Sequence, residues 1–142
     1  MNLKRDLGYG DVVRAKRPKK SKRQTAVKYA DDWTAKYIKM RDGNCVTCGS
    51  NYMLQWSHLF QGRHYSTRWR DDCSYTQCRA CHHAHHVKSN LPLIRYAESK
   101  YSPAWIDHLK ELDNHTVDLS SDEIAAIGDG YREKWSWVKI VN

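Results

Sequence analysis

This sequence predicts an α+β fold: a small core of two short strands and a helix, clamped by cysteines and flanked by several helices, with a basic N-terminal arm. Three observations predict it. Two Cys-x-x-Cys pairs, Cys45/Cys48 and Cys78/Cys81, are separated by 29 residues in a chain of 142. Between the pairs, two short segments carry the weak alternation of strands. Outside them, apolar residues recur at the three- and four-residue spacing of helices.

The arm comes first. Residues 1–24 hold nine basic residues, Lys4, Arg5, Arg14, Lys16, Arg17, Lys19, Lys20, Lys22 and Arg23, against Asp6 and Asp11. The arm thus carries +7 of the net +8, and the remaining residues are almost neutral. A dense basic run on a near-neutral body is suited to binding a polyanion through its phosphates. With Gly8, Gly10 and Pro18 it reads as an arm of little fixed structure.

A single domain is expected over residues 25–142. Ala26, Ala30, Trp33, Tyr37 and Met40 predict an amphipathic helix from residue 25, ended by Asp42-Gly43. Cys45-Val-Thr-Cys48-Gly49 is a tight knuckle. Residues 52–56 read as a strand leading to His58, and residues 59–72 as an exposed loop rich in arginine and aromatic rings. Residues 74–77 read as a second strand, and residues 79–88 as a helix that starts at the second cysteine pair. Pro92 opens a helix to about residue 101. Ser102-Pro103, a cap followed by proline in the first turn, opens another to about residue 112. Ser120-Ser121-Asp122-Glu123 resembles a capping box before Ile124, although Gly128 and Gly130 weaken the helix that would follow. Trp135 and Trp137 are candidates to pack on the body or to meet a partner.

No run of apolar residues is long enough to cross a membrane, and no secretory signal is legible. In that context, paired Cys-x-x-Cys motifs point to metal rather than to disulfides, and the odd fifth cysteine argues the same way. A two-residue spacer lets one turn aim both sulfurs at one ion, and two such knuckles complete a tetrahedral Zn²⁺ site. The structural zinc ligands are therefore expected to be Cys45, Cys48, Cys78 and Cys81. In so small a core the ion would supply much of the folding free energy.

Histidines surround these cysteines. Trp56-Ser57-His58-Leu59 lies between the pairs, and Cys81-His82-His83-Ala84-His85-His86 follows directly after the second. With Arg63, Arg68-Trp69 and Pro92, this stretch resembles the HNH domain of small phage endonucleases, most closely the NinG (Rap) recombination type, over about a third of the chain. The resemblance implies a ββα-metal (HNH) core and a metal-dependent DNA endonuclease acting in phage recombination or DNA processing, on branched or junction DNA. With neither a membrane-length apolar run nor a secretory signal, the host-cell cytoplasm is the expected location, and two-fold cutting of a junction would suit a homodimer. His58 would be the general base, since a neutral imidazole can take a proton from water. His82 would help to hold a catalytic Mg²⁺ or other divalent ion. His86 lies one helical turn on, and His85 is also within a turn.

The chain departs from the family at two positions. Cys73 stands in the catalytic centre where the family has Asn, and a thiol cannot make the same amide hydrogen bonds. Asp71 or Asp72 is then a substitute oxygen ligand. Ser57 stands where other HNH proteins often carry an acid. These departures support the alternative of a catalytically degenerate, zinc-dependent DNA-binding protein. A weaker third reading is a zinc-stabilised interaction protein that uses the late helices. Arg63, His64, Arg68, Trp69 and Arg70 are the expected DNA-contacting loop. Guanidinium groups would grip phosphates there and rings would stack on unpaired bases. Lys16, Arg17, Lys19, Lys20, Lys22 and Arg23 extend that surface.

Overall fold

A computed structural model describes residues 16–141, so the expectation for arm residues 1–15 lies outside the described residues. The fold is α+β, with five helices and one two-stranded sheet: α1 (Lys22–Asp42), β1 (Leu54–His58), β2 (Ser74–Cys78), α2 (Arg79–Val87), α3 (Leu91–Lys100), α4 (Pro103–Asp113) and α5 (Ser121–Val141). No described helix is long and apolar enough to cross a membrane.

Helix α1 starts three residues earlier than the apolar spacing predicts. Ser21 caps it, and Ser21 and Gln24 close a reciprocal capping box. Lys22 and Arg23 therefore belong to a helix rather than to the arm. Lys22 pairs with Asp122, and Arg23 donates to the Leu119 carbonyl (2.8 Å). Residues 16–20 are exposed and irregular. Ala26, Ala30, Thr34 and Ile38 form the buried stripe of α1. At its end, Gly43 adopts φ +74°, a region that disfavours side chains.

The last turn of α1 is fastened to β2. Thr76 donates its N–H to Asp42 (2.7 Å) and its hydroxyl to the Ile38 carbonyl (3.2 Å). Arg41 donates to the carbonyls of Asp71 and Ser74 and pairs with Asp42. One of these bonds reaches a main-chain carbonyl of α1, at Ile38, and the others tie the Arg41 and Asp42 side chains to β2 and the segment before it.

Strands β1 and β2 pair antiparallel, with Gln55 opposite Gln77, Trp56 opposite Thr76 and His58 opposite Ser74. β1 begins two residues later than expected because Tyr52 and Met53 form the turn, with Met53 at φ +49°. Side chains alternate across the hairpin. One face gives Tyr75, joined by Leu59 and Cys73, to an apolar cluster with Leu93 and Ala97 of α3 and Ile106 and Leu109 of α4. The other gives Trp56 to a cluster with α1, Trp69, and Ile124 and Tyr131 of α5.

Helix α5 runs for 21 residues through both glycines. Gly128 does not weaken it there; it allows α5 to approach α1. A Cβ at that position would sit 2.5 Å from the Tyr29 ring and 3.2 Å from the Ala30 Cα. Trp135 packs edge-on against Trp33, whereas Trp137 is exposed.

Candidate functional site

The four cysteines converge. Their sulfurs all lie within 4.8 Å of one another, the only group of three or more metal-type ligands among the described residues. Cys48 and Cys78 stand 3.7 Å apart, far beyond a disulfide bond. A tetrahedral zinc with bonds of about 2.3 Å separates its sulfurs by roughly 3.8 Å, so the donor set and spacing fit that ion. The group could hold one Zn²⁺.

Local turns bring the sulfurs together. The first knuckle closes through Gly49 N–H to the Cys45 carbonyl (2.8 Å), with Gly49 at φ +78°. Val46 donates to the Thr76 carbonyl (2.9 Å), which fastens this knuckle to β2. Cys78 ends β2 and also caps α2, with its sulfur accepting from the Cys81 N–H (3.5 Å). Burial acts to raise the Cys45 thiol, but N–H groups of Cys78, Cys48 and Thr47 outweigh it and hold the thiol down at about 6. The neighbouring Cys48 and Cys81 thiols are raised in turn, so within the group Cys45 is the sulfur that carries the thiolate.

On α2, His82 and His86 share a face one turn apart, and their Nε2 atoms are 3.0 Å apart. Gln55 of β1 accepts from His82 Nδ1 (2.8 Å). This bond fixes the tautomer and turns the Nε2 lone pair toward His86. Burial, then the neighbouring His86, His85 and Arg63, lower the His82 ring to about 4. His83 is exposed. His85 was only an alternative ligand in the sequence, but it is buried, 3% exposed, with no hydrogen bond on either ring nitrogen.

His58 ends β1 on the Trp56 face of the hairpin, with the two rings 4.1 Å apart. Its Nε2 is buried without a partner. Burial, then Arg63 and Arg68, lower its ring to about 4, against smaller raising effects from Asp31 and an Arg68 main-chain group. Gln55, which orients His82, lies on the opposite face by strand alternation. His58 is therefore not brought into a ligand group with His82 and His86.

Three expected contact residues are corrected. Trp69 is 5% exposed, and its indole N–H donates to Asp31 (2.9 Å), so it does not stack on a base. Arg68 grips the same carboxylate through two bonds, of 2.9 and 2.7 Å. Arg70 forms a similar fork with Asp72, which also accepts from Trp105. These pairs fold the loop onto the body, which also removes Asp72 as a free oxygen ligand. Asp31, not singled out from the sequence, organises the loop from one edge of the buried α1 stripe.

Cys73 is corrected too. It is 1% exposed within the apolar cluster, and burial pushes its thiol far above the ordinary range. It packs, and its carbonyl accepts from Leu59 N–H (2.8 Å). It offers no thiolate to a reaction.

Arg63, His64 and residues 16–20 of the arm lie on the surface. Arg63 is exposed at φ +49° and makes no hydrogen bond or ion pair among the described residues. His64 donates to the Asp113 carbonyl (2.9 Å). Arg63, His64, Arg23, Tyr65 and His115 line a groove of about 540 Å³. A second groove of about 730 Å³ carries Arg17, Lys19, Lys20 and Lys28 and shares Arg23 and Tyr65 with the first. Arg23 lies over the Tyr65 ring at 5.3 Å, where the two grooves join. Comparison with protein-family models, with curated proteins and with solved structures gave no match.

Proposed function

We propose that this protein is a metal-dependent DNA endonuclease of HNH type, whose ββα-metal core is the β1–β2 hairpin with α2, braced by a structural zinc. One observation carries the reading: His82 and His86 present their Nε2 atoms 3.0 Å apart, with Gln55 orienting the first. Two imidazoles on one divalent ion, with bonds of about 2.0–2.1 Å, need a separation near 3 Å. The donor set therefore fits an ion with positions left open for substrate oxygens.

Such an ion, when bound, supplies positive charge to the scissile phosphate and to the leaving 3′ oxygen. His58 takes the proton of the attacking water. Its depressed basicity keeps it neutral, the proton-accepting form, across neutral pH. Arg63, exposed and without a hydrogen bond or ion pair among the described residues, is free to grip a phosphate. The joined basic grooves carry the flanking strand, and the arm adds affinity that falls with salt.

A second reading, DNA binding without turnover, is favoured by the burial of His58 on the Trp56 face and of Cys73 in the core. Cleavage of supercoiled and branched DNA with Mg²⁺ or Mn²⁺ separates the two. The nuclease reading expects nicking by the intact protein and at least a hundredfold loss, about the scale of general-base catalysis, in His58→Ala. Equal activity in protein and variant, at background level, removes it and leaves binding.

A further inference from the structure

The knuckle side of the molecule carries a third groove. It has a volume of about 790 Å³ and is lined by Ser50, Tyr52, Met53, Gln55, the first turn of α2, and His82, His83 and His86. Two features set it apart from an ordinary surface dent. Tyr52 and Met53 are apolar side chains held out in solvent, 72% and 45% exposed. Met53 also takes a left-handed backbone, φ +49°, which is uncommon without a glycine or asparagine.

The turn that presents them is held at three points. Cys45 N–H donates to the Ser50 carbonyl (2.8 Å), Tyr52 N–H to the Ser50 hydroxyl (3.2 Å), and Arg79 N–H to the Met53 carbonyl (3.0 Å). The zinc knuckle and the start of α2 thus fix an exposed aromatic ring beside the histidine pair. The lining holds the exposed guanidinium of Arg79 and no carboxylate, so its charge suits an anion. A flat ring next to a guanidinium is the pairing that takes a base and its phosphate together. A paired base hides its faces in the stack and would leave Tyr52 and Met53 uncovered.

The geometry points to a subsite for an unpaired nucleotide, with its base on Tyr52 and Met53 and its phosphate toward Arg79. This rests on the nuclease reading only in taking DNA as the ligand. It narrows the substrate to DNA with a single-stranded element beside the cut.

The test is fluorescence anisotropy of labelled oligothymidylate and of a labelled duplex, using the zinc-loaded full chain without added divalent ions. Tyr52→Ala should weaken single-strand binding about tenfold, the cost of one lost base stack, and change duplex binding less than about twofold. Tyr52→Phe should bind like the original, because stacking needs the ring and not the hydroxyl. Met53→Ala should repeat the single-strand effect more weakly. Unchanged zinc content and circular dichroism would establish that the variants fold. Single-strand affinity that is unchanged in Tyr52→Ala, or that falls equally with duplex affinity, overturns the subsite. The two readings fail separately. Absent cleavage with this binding difference intact sinks only the nuclease. Intact cleavage with no binding difference sinks only the subsite.

Discussion

His82 and His86 lie one turn apart on α2, with their Nε2 atoms separated by 3.0 Å. Without a shared ligand, one ring donates to the other. With Gln55 accepting from His82 Nδ1, the donor is His86 Nε2. Replacing His86 with Ala removes that donor from an exposed helix face. The cost to stability should stay within about 0.5 kcal/mol, as for surface substitutions. Binding of Mn²⁺ or Co²⁺, followed by titration calorimetry, should weaken at least tenfold, since one of two imidazole ligands is gone. Unchanged ion affinity would separate His86 from the ion.

The four-cysteine site predicts a larger effect. Chelation, or Cys45→Ser, should unfold the hairpin and α2, because the ion joins the end of α1 to the start of α2. Binding at structural zinc sites is on the order of 10 kcal/mol, comparable to the whole net stability of a domain of this size. Loss of helical circular dichroism together with released zinc would bear this out. A chelated protein that melts as before would contradict it.

Asp31 predicts an effect far from any metal. It accepts two bonds from Arg68 and one from Trp69, and both donors are largely buried. Asp31→Ala strands the guanidinium and the indole N–H. Urea denaturation should show a loss of about 2 kcal/mol, the range for hydrogen bonds to a charged group. A loss below about 0.5 kcal/mol would mean the loop is held by packing alone.

Gly128 and Gly130 should respond in opposite directions. A methyl group at Gly128 meets the Tyr29 ring at 2.5 Å, so Gly128→Ala should destabilise by about 1–3 kcal/mol through overpacking. Nothing lies within 4 Å of a Cβ at Gly130. Gly130→Ala should stabilise by up to about 1 kcal/mol through helix propensity. Thermal melts of the two variants check the pair. Shifts of the same sign would contradict the close approach of α5 to α1.

These residues also mark what was legible in the sequence. The convergence of the four cysteines was, because two-residue spacers and the doubled motif suit both pairs to one ion. So were the proline and serine starts of α3 and α4, which are local signals, whereas of the α1 stripe only Ala26 and Ala30 were, since Thr34 and Ile38 take the buried places expected of Trp33 and Tyr37. The fate of the loop over residues 59–72 was not. Arginines and aromatics on a polar loop look available until their partners are known, and Asp31 lies 37 residues from Arg68 in sequence. Only its place beside Ala30, at the edge of the stripe, hinted that it faces inward. Cys73 was read by its position in a motif, whereas Leu59, Tyr75 and Leu93 decide its surroundings. Gly128 reads in the sequence as weakening its helix because a close helix contact leaves no mark in one sequence.

Acid should expose the burial of His58. Its ring is lowered to about 4 by burial first and by Arg63 and Arg68 next. In the unfolded chain it titrates near 6.5. Between those values the unfolded chain binds a proton that the folded one refuses, so stability is lost as pH falls from about 6.5 to about 4 and is fully present above. The difference is about 3 kcal/mol. His58→Gln lacks it, while the zinc ligands contribute alike to both proteins. Urea denaturation at neutral pH and near the lower limit should therefore show the original losing stability faster than the variant. Parallel losses would contradict a buried neutral ring.

The most direct measurement is anomalous diffraction from crystals of the zinc-loaded protein soaked in Mn²⁺. The account predicts a zinc peak amid the sulfurs of Cys45, Cys48, Cys78 and Cys81, and a manganese peak within bonding distance of both His82 and His86 Nε2. Manganese absent from the histidine pair, or zinc absent from the cysteines, would contradict it.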